Sequence, residues 1–322
     1  MSEFWRIIFF VVQQTMYFAI PLLVVALGGM FSERSGVVNI ALEGIMVFGA
    51  FTGILFINTF QGVMEGQLLL ILAILVACIS GGLISLLHAY ASVNMKADQV
   101  ISGTAINMLT PALAIYAARM IQDVQQIAFN NTFRIDSVPV LGSIPYIGDM
   151  FFKKTYITTY LRFAILIVAA LVLYKTRFGL RLRSCGEHPH AADSVGINVY
   201  KMRYAGVFIS GVLAGLGGLV FVIPTSTNFN ATVAGYGFLA LAVLIFGQWK
   251  PGRILFAAFF FGLMKTIAST YSGIPFLAGL GIPNTLYKMI PFIATLVVLA
   301  FTSKKSQAPK ASGVPYDKSA AR

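Results

Sequence analysis

Runs of apolar residues long enough to cross a lipid bilayer recur along almost the whole chain. The clearest occupy residues 7–27, 68–90 and 204–223, and each holds few charged side chains. The hydrocarbon core of a bilayer is about 30 Å thick, and a helix of about 20 residues crosses it. Lipid offers no hydrogen bonds to the backbone, so a crossing segment must satisfy its own backbone groups, as a helix does. These runs predict an all-α polytopic membrane protein.

The composition agrees with a chain that is dissolved in lipid. Of the 322 residues, 58% are hydrophobic and 11% are charged, whereas soluble proteins average about 25% charged residues. The mean hydropathy is +0.83. A net charge of +12 could indicate nucleic-acid binding, but the basic residues lie in short connections between apolar runs and not on one soluble face. We therefore expect the lipid bilayer, and no nucleic acid, as a partner.

We expect nine membrane-spanning helices, with eight and ten as the limits. Polar residues at 31–36 and the glycines and prolines at 272–284 predict broken or re-entrant segments. Residues 1–303 are then one transmembrane domain, and residues 304–322 are a basic cytoplasmic tail that we expect to be disordered. The expected spans are residues 7–27, 37–57, 68–90, 101–120, 159–174, 204–223, 236–246, 254–270 and 285–301.

One polar segment interrupts the apolar runs at residues 180–196 (LRLRSCGEHPHAADSVG). Pro189 suits the first turn of a helix and Gly196 its end, so a short exposed helix is expected between them. Basic residues flank the segment, among them Lys175, Arg177 and Lys201. By the positive-inside rule they predict that the segment faces the cytoplasm.

Alternation from this segment places the N-terminus outside and the tail inside. Most of the 23 Lys and Arg residues then lie in the inner connections and the tail. The segment 122–158, rich in Asn, Thr, Pro and Gly, is predicted to be an external loop with a short helix. No Lys or Arg lies in three other outer connections, which are residues 58–67, 225–234 and 271–284.

Three stretches carry a resemblance to a known family. GEHPHAADSVGI at residues 186–197 resembles the cytoplasmic coupling segment of permeases from bacterial ABC importers, in particular those of the branched-chain amino acid, ribose and nucleoside systems. Residues 28–49 (GGMFSERSGVVNIALEGIMVFG) resemble the nucleoside-type, or simple-sugar-type, members of that group. With residues 97–107 (ADQVISGTAIN), the likeness covers most of residues 20–300.

The resemblance implies a place in the bacterial cytoplasmic (inner) membrane and three protein partners. These are a cytoplasmic ATP-binding subunit, a second permease subunit that forms a heterodimer with this chain, and an external substrate-binding lipoprotein. ATP and magnesium are expected on the ATP-binding subunit, and no cofactor is expected on this chain. The sequence agrees, since it holds no GxxxxGK[ST] phosphate-binding motif. We expect no catalytic residues and no metal site.

In this family the coupling segment contacts the ATPase. A short rigid helix can pass nucleotide-driven motion to the two attached spans, whereas a flexible loop would absorb it. Carried onto this sequence, the contact residues are Gly186, Glu187, His188, Pro189, Ala191, Ala192, Asp193 and Gly196.

Polar residues inside the expected spans are the candidates for a substrate route. Burying a carboxylate in hydrocarbon is costly, so Glu43 is expected to face the protein interior, one helical turn from Asn39. Thr104 and Asn107 share the fourth span. Each of these has a structural alternative, because Glu43 can pair with Arg34 or cap a helix start, and the fourth-span residues can bind a neighbouring helix.

The sixth span carries a pattern of small residues. Four-residue spacing stacks them on one helix face, where another backbone can come close. We favour packing inside the chain, and packing against a second permease subunit is the alternative. The small residues are Gly206, Ser210, Ala214 and Gly218.

A similarity within the chain also relates residues 28–43 to residues 217–243. It predicts inverted repeats with interrupted helices.

Three functions are compatible with these features. The first is the membrane subunit of an ATP-driven importer, with a nucleoside favoured over a simple sugar or a branched-chain amino acid. A neutral riboside needs amide, hydroxyl and carboxylate partners, which Asn39, Glu43, Thr104 and Asn107 could supply. The second is a secondary transporter coupled to protons or sodium, for which Glu43 is the only carboxylate deep in an expected span. The third is a channel or a membrane-anchored assembly factor.

Overall fold

Helices make up most of the computed structural model, which describes residues 3–139, 141–146, 148–273, 279, 281–302 and 307–318. A π-helical turn, Tyr90–Asn94, extends the third helix. In chain order the α-helices are α1 (Glu3–Arg34), α2 (Leu42–Phe60), α3 (Gly66–Ala89), α4 (Gln99–Gln122), α5 (Ile157–Lys175), α6 (Arg177–Glu187), α7 (Pro189–Ser194), α8 (Val199–Thr225), α9 (Tyr236–Phe246), α10 (Pro251–Thr270) and α11 (Asn284–Thr302).

Seven helices in the described part of the chain are long and apolar enough to cross a membrane, namely α1 to α5, α8 and α10. Two shorter apolar stretches, Tyr236–Phe246 (α9) and Asn284–Val298 within α11, occupy the positions of the seventh and ninth expected spans. The predicted all-α polytopic membrane class is therefore confirmed.

Helix α8 lies at the centre of the bundle. Within its most apolar window 78% of the residues are buried, against 22% in α4, which has an exposed face. Its small residues let neighbouring backbones come close, since a Cβ on Gly215 would collide with the Ala77 carbonyl of α3 and one on Gly218 with the Met46 carbonyl of α2. Such contacts stabilise helix pairs in lipid by close packing. The small-residue face of α8 thus packs against helices of the same chain.

A non-helical break separates α1 from α2. The backbone N–H of Gly36 donates to the Glu33 carbonyl, and Gly36 has a φ of +98°, which ends the helix in a turn. Leu42, the first residue of α2, lies against Gly29, about 7.5 Å of helix rise before the end of α1. Residues 35–41 therefore fold back along α1 into the layer of helices. We predicted the break at 31–36, and the structure places it several residues later because α1 continues to Arg34.

A second break, residues 226–235, separates α8 from the short helix α9. It begins at the opposite end of the bundle, where Asn228–Phe229 pairs with Ile127–Ala128 of the long connection after α4. The two breaks thus approach from opposite ends, as the predicted inverted arrangement requires. Helix α9 has only 11 residues, fewer than the about 20 that a helix needs to cross a bilayer.

The connections between helices gather at two ends of the bundle. At one end, Lys96 pairs with Asp317, and the N–H of Gln307 donates to the Gln248 side chain. At the other end, the Gln61 side chain accepts from the N–H of Asn130. This grouping agrees with the predicted alternation. The assignment of the first end to the cytoplasm stays a prediction from charge.

The long connection after α4 contains small sheets instead of a single loop. The strands are antiparallel pairs: Ile127–Ala128 with Asn228–Phe229, and Ile135–Ser137 with Lys153–Thr155. A 3₁₀ turn, Leu141–Ser143, and a π-helical turn, Gly148–Phe152, provide the helical part that we expected.

Residues 307–318 of the basic tail are packed against the protein, whereas we expected residues 304–322 to be disordered. Ala311 and Tyr316 are buried and provide the anchors. A tail with many lysines does not show such anchors as a periodic pattern, which is why the sequence did not indicate them. The rest of the expected tail, residues 304–306 and 319–322, lies outside the described residues.

Candidate functional site

The coupling segment is a pair of short helices, α6 and α7. The Thr176 hydroxyl accepts from the N–H of Gly179 and caps the start of α6. Pro189 stands at the first position of α7, and Gly196, with a φ of +83°, follows its end. The predicted short helix between Pro189 and Gly196 is confirmed.

One side of the coupling segment rests on the end of α1. A Cβ on Gly186 would collide with the Arg34 carbonyl, so only glycine allows this approach. Next to it, Arg34 Nη1 lies 3.5 Å from Glu187 Oε1. A partly exposed ion pair contributes about 0–1 kcal/mol, so the close backbone contact fixes the position and the pair orients Glu187.

The other side of the coupling segment is open. His188, His190 and Ala191 are exposed, and Val195 is 74% exposed. A shallow pocket of about 260 Å³ lies here, and its lining combines apolar side chains with one carboxylate. A partner protein can bind at this surface, which is lined by Ser184, Glu187, His188, Ala191, Ala192, Val195 and Ile197.

Of the expected ATPase contacts, Pro189 and Ala192 mainly build the segment, since Pro189 starts α7 and the Ala192 side chain is buried. Asp193 Oδ2 lies 3.6 Å from Lys318 Nζ of the tail. Gly196 closes the segment with its N–H donating to the Asp193 carbonyl.

Asn107 of α4 supports the break between α1 and α2. Its Nδ2 donates to the Ile40 carbonyl over 2.9 Å, and its Oδ1 accepts from the N–H of Gly44 over 2.7 Å. A backbone that leaves the helical pattern at membrane depth needs such partners. Asn107 therefore binds a neighbouring segment, which is the structural alternative that we weighed.

Two further side chains that the sequence did not single out also support this break. Gln99 Oε1 accepts from the N–H of Val38 over 2.7 Å. The buried His88 has Nε2 2.9 Å from the Val38 carbonyl and Nδ1 3.1 Å from Ser102 Oγ. A histidine in an apolar run and a glutamine at a helix start were the available signals, but their common partner is distant in sequence.

Asn39 lies in the first break, and Glu43, in the first turn of α2, reaches the end of the second break. Asn39 is fully buried, and its Nδ2 donates to Ser210 Oγ of α8 over 2.9 Å. The Glu43 carboxylate accepts from the N–H of Gly235 over 2.9 Å and from that of Gly237 over 2.6 Å. A carboxylate stabilises the positive end of a helix dipole. Glu43 thus caps α9 from α2.

The pairing of Glu43 with Arg34 that we considered does not occur, because Arg34 pairs with Glu187. The Oδ1 of Asn39 has no hydrogen-bond partner among the described residues. The Nε2 of Gln99, which supports the same break, is likewise buried without a partner among the described residues.

Thr104 does not join this cluster. It lies on the exposed face of α4, and its hydroxyl donates to the Val100 and Ile101 carbonyls of its own helix. Of the four expected substrate-route residues, the structure brings together Asn39, Glu43 and Asn107. Within the described ranges, His, Cys, Asp and Glu side chains form no group of three or more that could hold a metal ion.

A larger cavity lies between α9, α10 and α11, and its lining includes Gly235, whose N–H donates to Glu43. One part of about 450 Å³ is mostly apolar and extends from Gly235 to Thr295. An adjoining part of about 580 Å³ is lined by Ser269, Asn284 and Lys288. Lys265 borders both parts, and its Nζ lies 5.6 Å from the centre of the Tyr236 ring. The cavity thus combines aromatic surface with hydrogen-bond donors.

Comparison with known proteins identifies the family. The sequence profile of the family described as "Branched-chain amino acid transport system / permease component" matches residues 11–299. The chain belongs to this family. No solved structure matches it.

Several relatives of this permease are similar over nearly their full length. It is 45% identical to the guanosine ABC transporter permease protein NupQ of Bacillus subtilis, over 97% of this chain and 98% of the relative. It is 44% identical to the nucleoside ABC transporter permease protein NupC of Lactococcus lactis, over 96% and 97%. A putative glucose ABC transporter permease protein of Haloferax volcanii is 31% identical, over 89% of each chain.

Membership of an ABC permease family places this permease among multi-pass membrane proteins with a transport role. Permeases of this family operate with ATP-binding and substrate-binding partners. The open side of the coupling segment is a candidate surface for the ATP-binding partner.

Proposed function

We propose that this permease is the membrane subunit of an ATP-driven importer that carries a nucleoside across the bacterial cytoplasmic membrane. The observation that carries the proposal is the similarity, over nearly the full length of each chain, to permeases named for guanosine and nucleosides. Residues 28–49, which resemble nucleoside-type permeases, contain the break between α1 and α2.

The cavity between α9, α10 and α11 suits a neutral riboside. Aromatic rings can contact a nucleobase, and amino, amide and hydroxyl groups can bind base carbonyls and sugar hydroxyls. The exposed rings of Phe238 and Phe292 supply the aromatic surface. Lys265 and Asn284 supply polar groups. We propose that Asn39, Glu43 and Asn107 shape the route by holding the two breaks, and that Thr104 has a minor part. Their replacement then slows transport without changing substrate preference.

Energy in this proposal comes from ATP and magnesium on a separate cytoplasmic subunit, which docks on the open side of the coupling segment. The substrate arrives from an external binding lipoprotein, and a second permease subunit forms a heterodimer with this chain. Both oxygens of the Glu43 carboxylate accept backbone N–H groups, so this carboxylate already has a structural role. This favours the ATP-driven scheme over transport coupled to an ion bound at Glu43.

The test is uptake of labelled guanosine or uridine by cells that contain the full system and by a strain without this permease. Neither strain has another nucleoside importer. We expect uptake to be lost in the deletion strain and restored by the gene on a plasmid, with uptake of labelled leucine as the control. Unchanged nucleoside uptake in the deletion strain contradicts the proposal.

A simple sugar is the second candidate substrate, and the similarity to the putative glucose permease favours it over a branched-chain amino acid. Competition distinguishes the two candidates. If the substrate is a nucleoside, excess unlabelled glucose or ribose leaves uptake of the labelled nucleoside unchanged. If the substrate is a sugar, the same excess abolishes uptake of the labelled sugar.

A further inference from the structure

Residues 307–318 cross the same end of the bundle as the coupling segment and contact several connections there. We refer to these residues as the strap. The N–H of Gln307 donates to the Gln248 side chain at the turn after α9, and Asp317 Oδ2 lies 2.6 Å from Lys96 Nζ, before α4. Between these ends, the strap passes over both the coupling segment and the break after α1.

Two backbone hydrogen bonds join the strap to these two segments. The N–H of Ala311 donates to the Gly186 carbonyl over 2.8 Å, and the N–H of Gly313 donates to the Gly36 carbonyl over 3.2 Å. The two donors are two residues apart, which limits the span between them to about 7 Å. The strap is therefore a short tie between the coupling segment and the break.

Tyr316 anchors the strap to the coupling segment and to the start of α8. It is buried in one cluster with Cys185, Ala192 and Val199. Its ring centre lies 5.1 Å from that of His190. Burial, and after it the Asp193 carboxylate, raise the pKa of Tyr316 to about 12. The phenol thus stays neutral at physiological pH, and packing of the ring holds it in place.

Arg203 at the start of α8 binds the strap as well. Its side chain is fully buried, and Nη1 donates to the Val314 carbonyl over 3.0 Å. Its guanidinium also lies 5.9 Å from the Tyr316 ring centre and against Gly36. A buried cation is costly unless its donors have partners. The strap supplies one of them, so it belongs to the folded structure and is more than a loosely adsorbed tail.

The strap touches only the edge of the docking surface, where the N–H of Lys310 donates to Glu187 Oε2 over 3.5 Å and the Tyr316 ring lies against His190. It covers the side of the coupling segment that holds Cys185, which is fully buried. The opposite side, with His188, Ala191 and Val195, is exposed. A protein bound on that open side can therefore push the coupling segment while the strap stays attached behind it.

We propose that the strap is a brace that makes the coupling segment and the break move together. When the ATPase displaces the coupling segment, the strap carries the displacement to residues 35–41, which hold Asn39 against Ser210 of α8. The proposal rests on the proposed function for the source of the displacement. The attachment of the strap itself can be measured without any transport.

The first experiment measures the attachment through the native Cys185. The permease carries Cys78→Ala, and membranes are treated with a thiol reagent from the cytoplasmic side. Removing residues 307–322 should raise the rate of Cys185 modification by roughly tenfold or more, because the cover is lost. Removing residues 319–322 alone is the matched control and should leave the rate unchanged. An equal rate in both truncations overturns the proposal.

The second experiment measures coupling in the reconstituted complex, as substrate transported per ATP hydrolysed. Tyr316→Ala, which removes the anchor, should lower this ratio by roughly tenfold while ATPase activity and subunit association persist. Tyr316→Phe keeps the ring and should retain the normal ratio. Gel filtration of the extracted complex shows whether the truncated chain folds. If it does not, the point variant Tyr316→Ala still tests the proposal.

Two results contradict the brace. One is a normal ratio in Tyr316→Ala with Cys185 exposed. The other is loss of the ATPase from the complex, since the strap would then be a docking element. Failure of the proposed function has a different signature, because the unaltered complex would then transport no nucleoside while the modification rates of Cys185 remained as predicted.

Discussion

Replacing Glu43 tests whether this carboxylate holds α9 in place or is kept for the substrate. In the structure both oxygens accept backbone N–H groups at the start of α9, from Gly235 and Gly237. Glu43→Ala removes both acceptors and the charge that stabilises the helix start. Glu43→Gln keeps one oxygen and presents an amide N–H₂ group where the second acceptor was.

The expected loss follows from these two bonds. A hydrogen bond to a charged group contributes about 1.5–3 kcal/mol. The N–H of Gly235 is exposed and water can replace its partner, whereas that of Gly237 is partly buried. We therefore expect Glu43→Ala to lower the free energy of unfolding by about 2–3 kcal/mol, and Glu43→Gln by about half as much.

The assay is thermal unfolding of the purified permease in detergent without substrate. At about 2 °C per kcal/mol for a chain of this size, Glu43→Ala should lower Tm by roughly 5 °C. Glu65→Ala is the control, because Glu65 is exposed and its side chain caps nothing. Equal Tm values for Glu43→Ala and Glu65→Ala would refute the capping role and leave the carboxylate free for substrate.

Three other predictions concern packing, topology and coupling. Gly215→Leu should prevent the approach of α8 to α3 and abolish accumulation of folded protein in membranes. Gly252→Leu is the control, because Gly252 has open space around it, and this variant should accumulate normally. Fluorescence-detected gel filtration measures the amount of folded protein. In a chain without its native cysteines, a cysteine at position 125 should react with an impermeant maleimide in intact cells. A cysteine at position 191 should react only after the membrane is opened. Reaction at position 191 but not at position 125 in intact cells would mean that the topology is inverted. Replacing residues 187–192 with Gly and Ser should leave membrane insertion intact and abolish transport, and transport at the normal rate would contradict a role for the coupling segment.

Local features of the fold were predictable because their causes are local. A proline followed seven residues later by a glycine indicates α7, which starts at Pro189 and ends before Gly196. The four-residue spacing from Gly206 to Gly218 likewise marks the face of α8 that packs against α1 and α2. Such signals need only the periodicity of one helix.

The site was harder to predict because its contacts join residues distant in sequence. Glu43 was a candidate for the substrate route, with capping of a helix start or pairing with Arg34 as the alternatives. The helix that it caps begins nearly 200 residues later. His88 and Gln99 gain their roles only when α3 and α4 come against residue 38. Tertiary contacts of this kind leave no period in a single sequence.

The most direct test of the account is uptake in proteoliposomes that contain this permease, its second permease subunit and its ATP-binding subunit, with the loaded binding protein on the external side. We predict that labelled guanosine accumulates only when ATP and magnesium are present on the cytoplasmic side, and that a non-hydrolysable ATP analogue stops it. Proteoliposomes with this chain alone and an imposed proton or sodium gradient should take up nothing. Guanosine uptake by the chain alone, driven by such a gradient without ATP, would contradict the account.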